Sequence, residues 1–131
     1  MTRGSFEKIK LWIFDLDNTL YHPRTKIFEK IDIRMKKFIS NKLRISRTEA
    51  FKIQKHYYKK YGTTLFGLMK HYKTQPNEFL NFVHDVDLSG LKKCRKLFKG
   101  INKLPGKKII YTNGDEKYAK KVLEAIGINS L

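Results

Sequence analysis

Hydrophobic positions along the chain follow two patterns. Leu11, Trp12, Ile13 and Phe14 are consecutive and end in Asp15. Such a run predicts a strand over Lys10–Asp15 covered on both faces, since a half-covered strand alternates. Ile109, Ile110 and Tyr111 form a second run, ending in Thr112, Asn113 and Gly114. Between the two, the period becomes helical. Ile27, Phe28, Ile31, Met35, Phe38 and Ile39 predict an amphipathic helix over Ile27–Ser40. Ser46 with Glu49 has the form of a capping box and opens a helix to about Tyr61. His56, Tyr57, Tyr58 and Tyr61 give it an aromatic, basic face. Shorter helices are expected over Thr64–Tyr72 and, opened by Thr74 and Pro76, over Pro76–Val86. Leu91–Ile101 reads as a lysine-rich helix, followed by a break at Pro105 and Gly106. The last helix spans Asp115–Ile126, with Tyr118, Ala119, Val122, Leu123 and Ile126 inward and Gly127 as its C-terminal cap.

The order strand, helical insert, strand, helix predicts an α/β fold with a parallel sheet. In open sheets of that kind, ligands gather beyond the carboxyl ends of the strands. Asp15 to Thr19 and Thr112 to Gly114 stand at those two ends and are the candidate site.

Composition narrows the class. The 131 residues, 40% hydrophobic and 31% charged, match a single globular domain with a modest core. No stretch approaches the roughly 18 apolar residues of a membrane span. Met1 to Lys10 lacks the apolar run of a signal peptide, so no membrane association and a cytoplasmic location are expected. Cys94 has no partner for an internal disulfide and reads as a helix residue without a redox role. The net charge is +17, with +10 in residues 1–65 and +7 in residues 66–131. No like-charge run reaches five residues, so the lysines suit a solvated surface. Anionic small substrates are favoured as much as polyanions; nucleic acid is allowed but not indicated.

Asp15-Leu16-Asp17 admits three readings. As a calcium loop it fails, because Leu20 and Lys26 replace the glycine and glutamate that an EF-hand needs. As a structural turn, the aspartates would bond backbone amides. As a phosphoryl-transfer centre, one carboxylate attacks phosphorus and the other moves the proton of the departing oxygen. A Mg²⁺ ion would then relieve the repulsion between the paired charges. Thr19, the Thr112 hydroxyl and the Asn113 and Gly114 amides would hold phosphate oxygens near a helix N-terminus.

"WIFDLDNTLY" resembles the first motif of the haloacid dehalogenase (HAD) superfamily, and "IIYTNG" resembles its second. "YGTTLFGL", "FVHDVDLSGL" and "YTNGDEKYAKKVLEAIGI" are similar in order and spacing to the pyrimidine 5′-nucleotidase-like branch. The resemblance runs from about Lys8 to Ile128. It implies a partial HAD-like Rossmannoid core, residues 1–20 and 90–131, carrying an inserted all-helical C1-type cap, residues 21–89. It implies a Mg²⁺-dependent phosphomonoesterase acting through an aspartyl-phosphate, with a small phosphorylated substrate such as a nucleoside 5′-monophosphate. Asp15 would be nucleophile and metal ligand, and Asp17 the acid/base with its carbonyl on the metal. Thr112, with Asn113 and Gly114, would bind phosphate. Tyr61 to Leu68 and His56 would face the base; His22, His71 and His84 receive no role.

The family's third and fourth motifs, a lysine and an acidic pair, have no counterpart in the 131 residues. Lys117, Lys120 and Lys121 fall on a helix, and Asp85 and Asp87 at the cap boundary. The expectation is therefore little activity from the chain alone. The strand Lys10–Asp15 should keep an open edge, inviting self-association or a partner chain. A non-catalytic fragment and a basic polyanion-binding protein are the alternatives.

Overall fold

The computed structural model describes residues 3–128; the outermost parts of the expected core, residues 1–2 and 129–131, lie outside the described residues. The fold is mixed α/β, mostly helical, with one two-stranded parallel sheet. It divides into two compact units, Met1–Lys26 with Leu88–Leu131, and Ile27–Asp87.

The first unit holds the sheet. Strand β1 is Leu11–Phe14 and β2 is Lys107–Ile110, paired in parallel from Leu11 opposite Lys107 to Phe14 opposite Ile110. Trp12 fixes the entry to β2, its indole N–H donating to the Pro105 carbonyl at 2.7 Å while its ring lies 5.6 Å from that of Phe6. β1 is not covered on both faces as its composition predicts. Leu11 and Ile13 are 46% and 62% exposed, whereas Trp12 and Phe14 are half-buried. Among the described residues β2 alone pairs with β1 and no element covers that outer face, so the strand alternates. Tyr111, expected within the second strand, lies beyond it and is 75% exposed.

Helix α5 in this unit, Arg95–Asn102, starts later than the pattern predicts. The cause is a backbone bond from Cys94 N–H to the Ile126 carbonyl, which holds the preceding segment outside the helix, with Leu91 buried within it. Helix α6 is Glu116–Ile126; Tyr118, Ala119, Val122 and Ile126 form its buried face, and Leu123 is half-buried. Gly127 ends it in the left-handed region at φ 85°, where a side chain is disfavoured.

The second unit is all helical: α1 Ile27–Leu43, α2 Arg47–Tyr61, α3 Thr64–Tyr72 and α4 Pro76–Val83. Both halves of the capping box are made, Ser46 Oγ accepting from Glu49 N–H and Glu49 Oε2 from Ser46 N–H. Such caps contribute about 1 kcal/mol. α2 and α3 meet where Gly67 faces Tyr57; a Cβ at 67 would collide with the Cγ of the ring. α4 ends three residues before its expected limit. There Arg34 of α1 donates to the Phe82 carbonyl, lays its guanidinium 3.9 Å from the Phe82 ring and pairs with Asp85. The N-cap of α4 is Gln75, and the buried Thr74 hydroxyl caps nothing. No helix among the described residues is long and apolar enough to cross a membrane.

Candidate active site

The parallel register carries β1 and β2 out of the sheet at the same end, with the Tyr111 amide still donating to the Phe14 carbonyl at 2.8 Å. Asp15 to Leu20 then form a tight turn. Leu16 is fully buried and anchors it, its carbonyl accepting from the amides of Thr19 and Leu20. Asn18 takes a left-handed conformation, φ 58°, which asparagine tolerates. With Leu16 pinned inward, Asp15 stays exposed and Asp17 half-buried.

Each carboxylate has its own holders. The Thr19 hydroxyl donates to Asp15 Oδ2 at 2.9 Å. Two phenols donate to Asp17 Oδ1, Tyr21 at 2.6 Å and Tyr118 at 2.7 Å. Burial, and then the bond to Asp17, push the ionisation of both tyrosines well above the usual phenol range. They remain neutral donors at physiological pH. Tyr118 is visible in the sequence only as an inner-face residue of the last helix, and Tyr21 only as the residue closing "DNTLY". An i, i+4 spacing from Asp17 hints at Tyr21; nothing local hints at Tyr118.

At the end of β2, the Gly114 amide donates to Thr112 Oγ1 at 3.1 Å, and Asp115 caps α6 by accepting from Tyr118 N–H at 2.7 Å. The helix N-terminus therefore already carries a carboxylate. Thr112 is half-buried and Asn113 exposed. Thr112, Gly114 and Tyr111 border a cleft of about 790 Å³ along β2 and α6, which Asp15 and Asp17 do not line. The site thus forms two groups at one end of the sheet: Asp15 with Thr19 and Asp17 beside it, and Thr112 with Gly114. No hydrogen bond links the groups directly among the described residues; Tyr118 of α6 connects Asp17 to the helix that follows the second group.

The donor set can be tested against Mg²⁺. Among the described residues no cluster of three His, Cys, Asp or Glu side chains forms a metal cage. Asp15 and the Asp17 backbone carbonyl are hard oxygen donors, the kind that Mg²⁺ accepts in small number while keeping several waters. Of the lysines near the second group, Lys120 pairs with Glu116 at 2.7 Å, and Lys117 and Lys121 are exposed.

Other candidates have structural partners. His22 Nδ1 accepts from Arg24 N–H and caps the Pro23–Thr25 turn. In the helical unit, His71 stacks on Tyr57 at 5.2 Å and bonds the Tyr61 hydroxyl through Nε2 at 2.6 Å. Asp85 and Asp87 pair with Arg34 and Lys30. His56 and Phe66 are exposed beside this cluster.

No family model matches the chain. It is similar to Phosphate metabolism protein 8 of Saccharomyces cerevisiae, at 28% identity over 134 aligned residues covering 93% of this chain. The chain spans 41% of that relative's length.

Proposed function

We propose that this chain carries the nucleophile and the acid/base of a Mg²⁺-dependent phosphomonoester hydrolase of the haloacid dehalogenase superfamily, acting on nucleoside 5′-monophosphates. The observation that carries the reading is the placement of Asp15 and Asp17 at the carboxyl end of β1, beside the Thr112 turn at the same end of parallel β2. The name of the yeast relative, a phosphate metabolism protein, supports a phosphate substrate.

In this reading an Asp15 oxygen attacks phosphorus and the ester P–O bond breaks. Asp17 gives its proton to the departing alkoxide. A water then attacks the phosphorus of the aspartyl-phosphate, Asp17 recovers a proton from that water, and phosphate leaves with Asp15 restored. Thr19 holds Oδ2 of Asp15 and leaves Oδ1 free of hydrogen bonds among the described residues. Thr112, Asn113 and Gly114 would bind the phosphoryl oxygens, the Gly114 amide exchanging its bond to Thr112 for one to substrate. Mg²⁺, held by Asp15 and the Asp17 carbonyl, supplies the positive charge that lets an anionic nucleophile approach an anionic ester.

Phosphate release from a panel of nucleoside monophosphates, with Mg²⁺ and with chelator, tests this reading. Turnover, low because the family's lysine and acidic pair have no counterpart in the 131 residues, should require Mg²⁺, and Asp15→Asn should abolish it. Turnover that survives Asp15→Asn overturns it. Absence of turnover together with polyanion binding that falls steeply with salt favours a basic binding protein instead.

A further inference from the structure

Two tyrosines from distant parts of the chain meet on one atom. Tyr21 lies just after the β1 turn and Tyr118 in the first turn of α6, and both donate to Oδ1 of Asp17. Both residues are buried, 7% and 2% exposed, so neither ring has room to leave. The other oxygen of Asp17, Oδ2, takes no hydrogen bond among the described residues. A carboxylate offers about four lone-pair sites across its two oxygens. Here the occupied sites are all on one side.

We propose that Tyr21 and Tyr118 are positioning residues that saturate Oδ1 of Asp17 and thereby present Oδ2 as the oxygen that exchanges the proton. The proposal rests on the phosphatase reading. Neither phenol touches substrate; both act through Asp17, by fixing its two side-chain torsions from opposite ends of the unit's sequence. A carboxylate held by one phenol keeps its orientation in part, and one held by neither can rotate out of line. Misplacement of a reacting group by about 1 Å costs about 100-fold. Gly114 belongs to the same device: a Cβ there would approach the Tyr118 ring to 2.9 Å, so its lack of a side chain makes the space in which that ring lies.

The test uses the full chain as wild type, Tyr21→Phe, Tyr118→Phe, the double variant and Asp17→Asn. Phenylalanine preserves the buried ring, and circular dichroism checks that each variant is folded. Proton NMR should show two slowly exchanging phenol hydroxyls in the wild type, one lost in each Phe variant and both shifted in Asp17→Asn. With p-nitrophenyl phosphate and Mg²⁺, the single variants should lose about tenfold or less in kcat and the double variant about 100-fold, with KM within about twofold. Hydroxyl signals unchanged in Asp17→Asn overturn the proposal. So does a double variant with wild-type kcat when Asp15→Asn is inactive. Wild-type turnover that survives Asp15→Asn overturns the phosphatase reading, and the positioning role falls with it; where turnover is too low to compare, the hydroxyl signals alone decide, both shifted in Asp17→Asn supporting the proposal and both unchanged overturning it.

Discussion

At position 114 the question of what a side chain would do has a direct answer in distances. A methyl group there would lie 2.9 Å from Cδ1 of Tyr118 and 3.5 Å from the Thr112 hydroxyl. The ring is buried and bonded, so it yields only by loosening its bond to Asp17. Gly114→Ala should therefore destabilise the α/β unit by about 1–3 kcal/mol, read as a lower urea midpoint with unchanged slope. An unchanged midpoint would show that the ring moves freely. In the sequence this glycine reads as a phosphate-binding amide, and Asp17 reads as one of a pair. The contact that relates them is invisible there, because Tyr118 lies 101 residues from Asp17 on a face whose spacing says only that it is inward. Thr19 is different: its hydroxyl reaches Asp15 four residues back, within one turn, where short-range reasoning works.

Among elements, helices were the legible part. Their apolar period and caps are local properties, so α2, α3 and α6 begin and end within a residue of where the pattern puts them. Tertiary bonds moved two of the others: Arg34 holds the end of α4, and the Cys94–Ile126 bond delays α5, while α1 runs on from the expected limit at Ser40 to Leu43. Strand burial escapes the sequence for a related reason. A run of four apolar residues records a preference for cover, while the cover itself comes from neighbours elsewhere in the chain. The packing of α2 on α3 carries a pH signature. Burial, and next the neighbouring Tyr72 phenol, push Tyr57 up to about 12. An unfolded tyrosine ionises near pH 10 and so gives up its proton first. The stability that Tyr57 contributes is complete below about pH 10 and is lost as pH climbs from about 10 to about 12. Thermal midpoints measured across that range should fall, and Tyr57→Phe should flatten the part of the fall that is due to this residue.

On the scale of the whole molecule, a charge of +17 and a bare strand face act in opposite directions. The charge keeps copies apart at low ionic strength, and salt screens it. The side chains of Leu11 and Ile13 then stand as an apolar strip next to a strand edge that is unpaired among the described residues. The 131-residue chain should accordingly associate more as salt rises, measured by sedimentation velocity. Ile13→Lys should suppress that association while leaving the far-ultraviolet circular dichroism spectrum unchanged. Association that weakens as salt rises would point to ionic contacts between copies instead. The charge balance was fully legible in the sequence; the open strip was not, since it depends on which elements surround β1.

The bond from Trp12 to Pro105 has a practical consequence. Trp12 is the only tryptophan in the chain, and its indole reports on the register between β1 and the start of β2. Its emission therefore follows the melting of the sheet, while the ellipticity of the chain is dominated by helices, most of them in the other unit. One sample, read by both signals, shows whether the two units come apart together or one at a time.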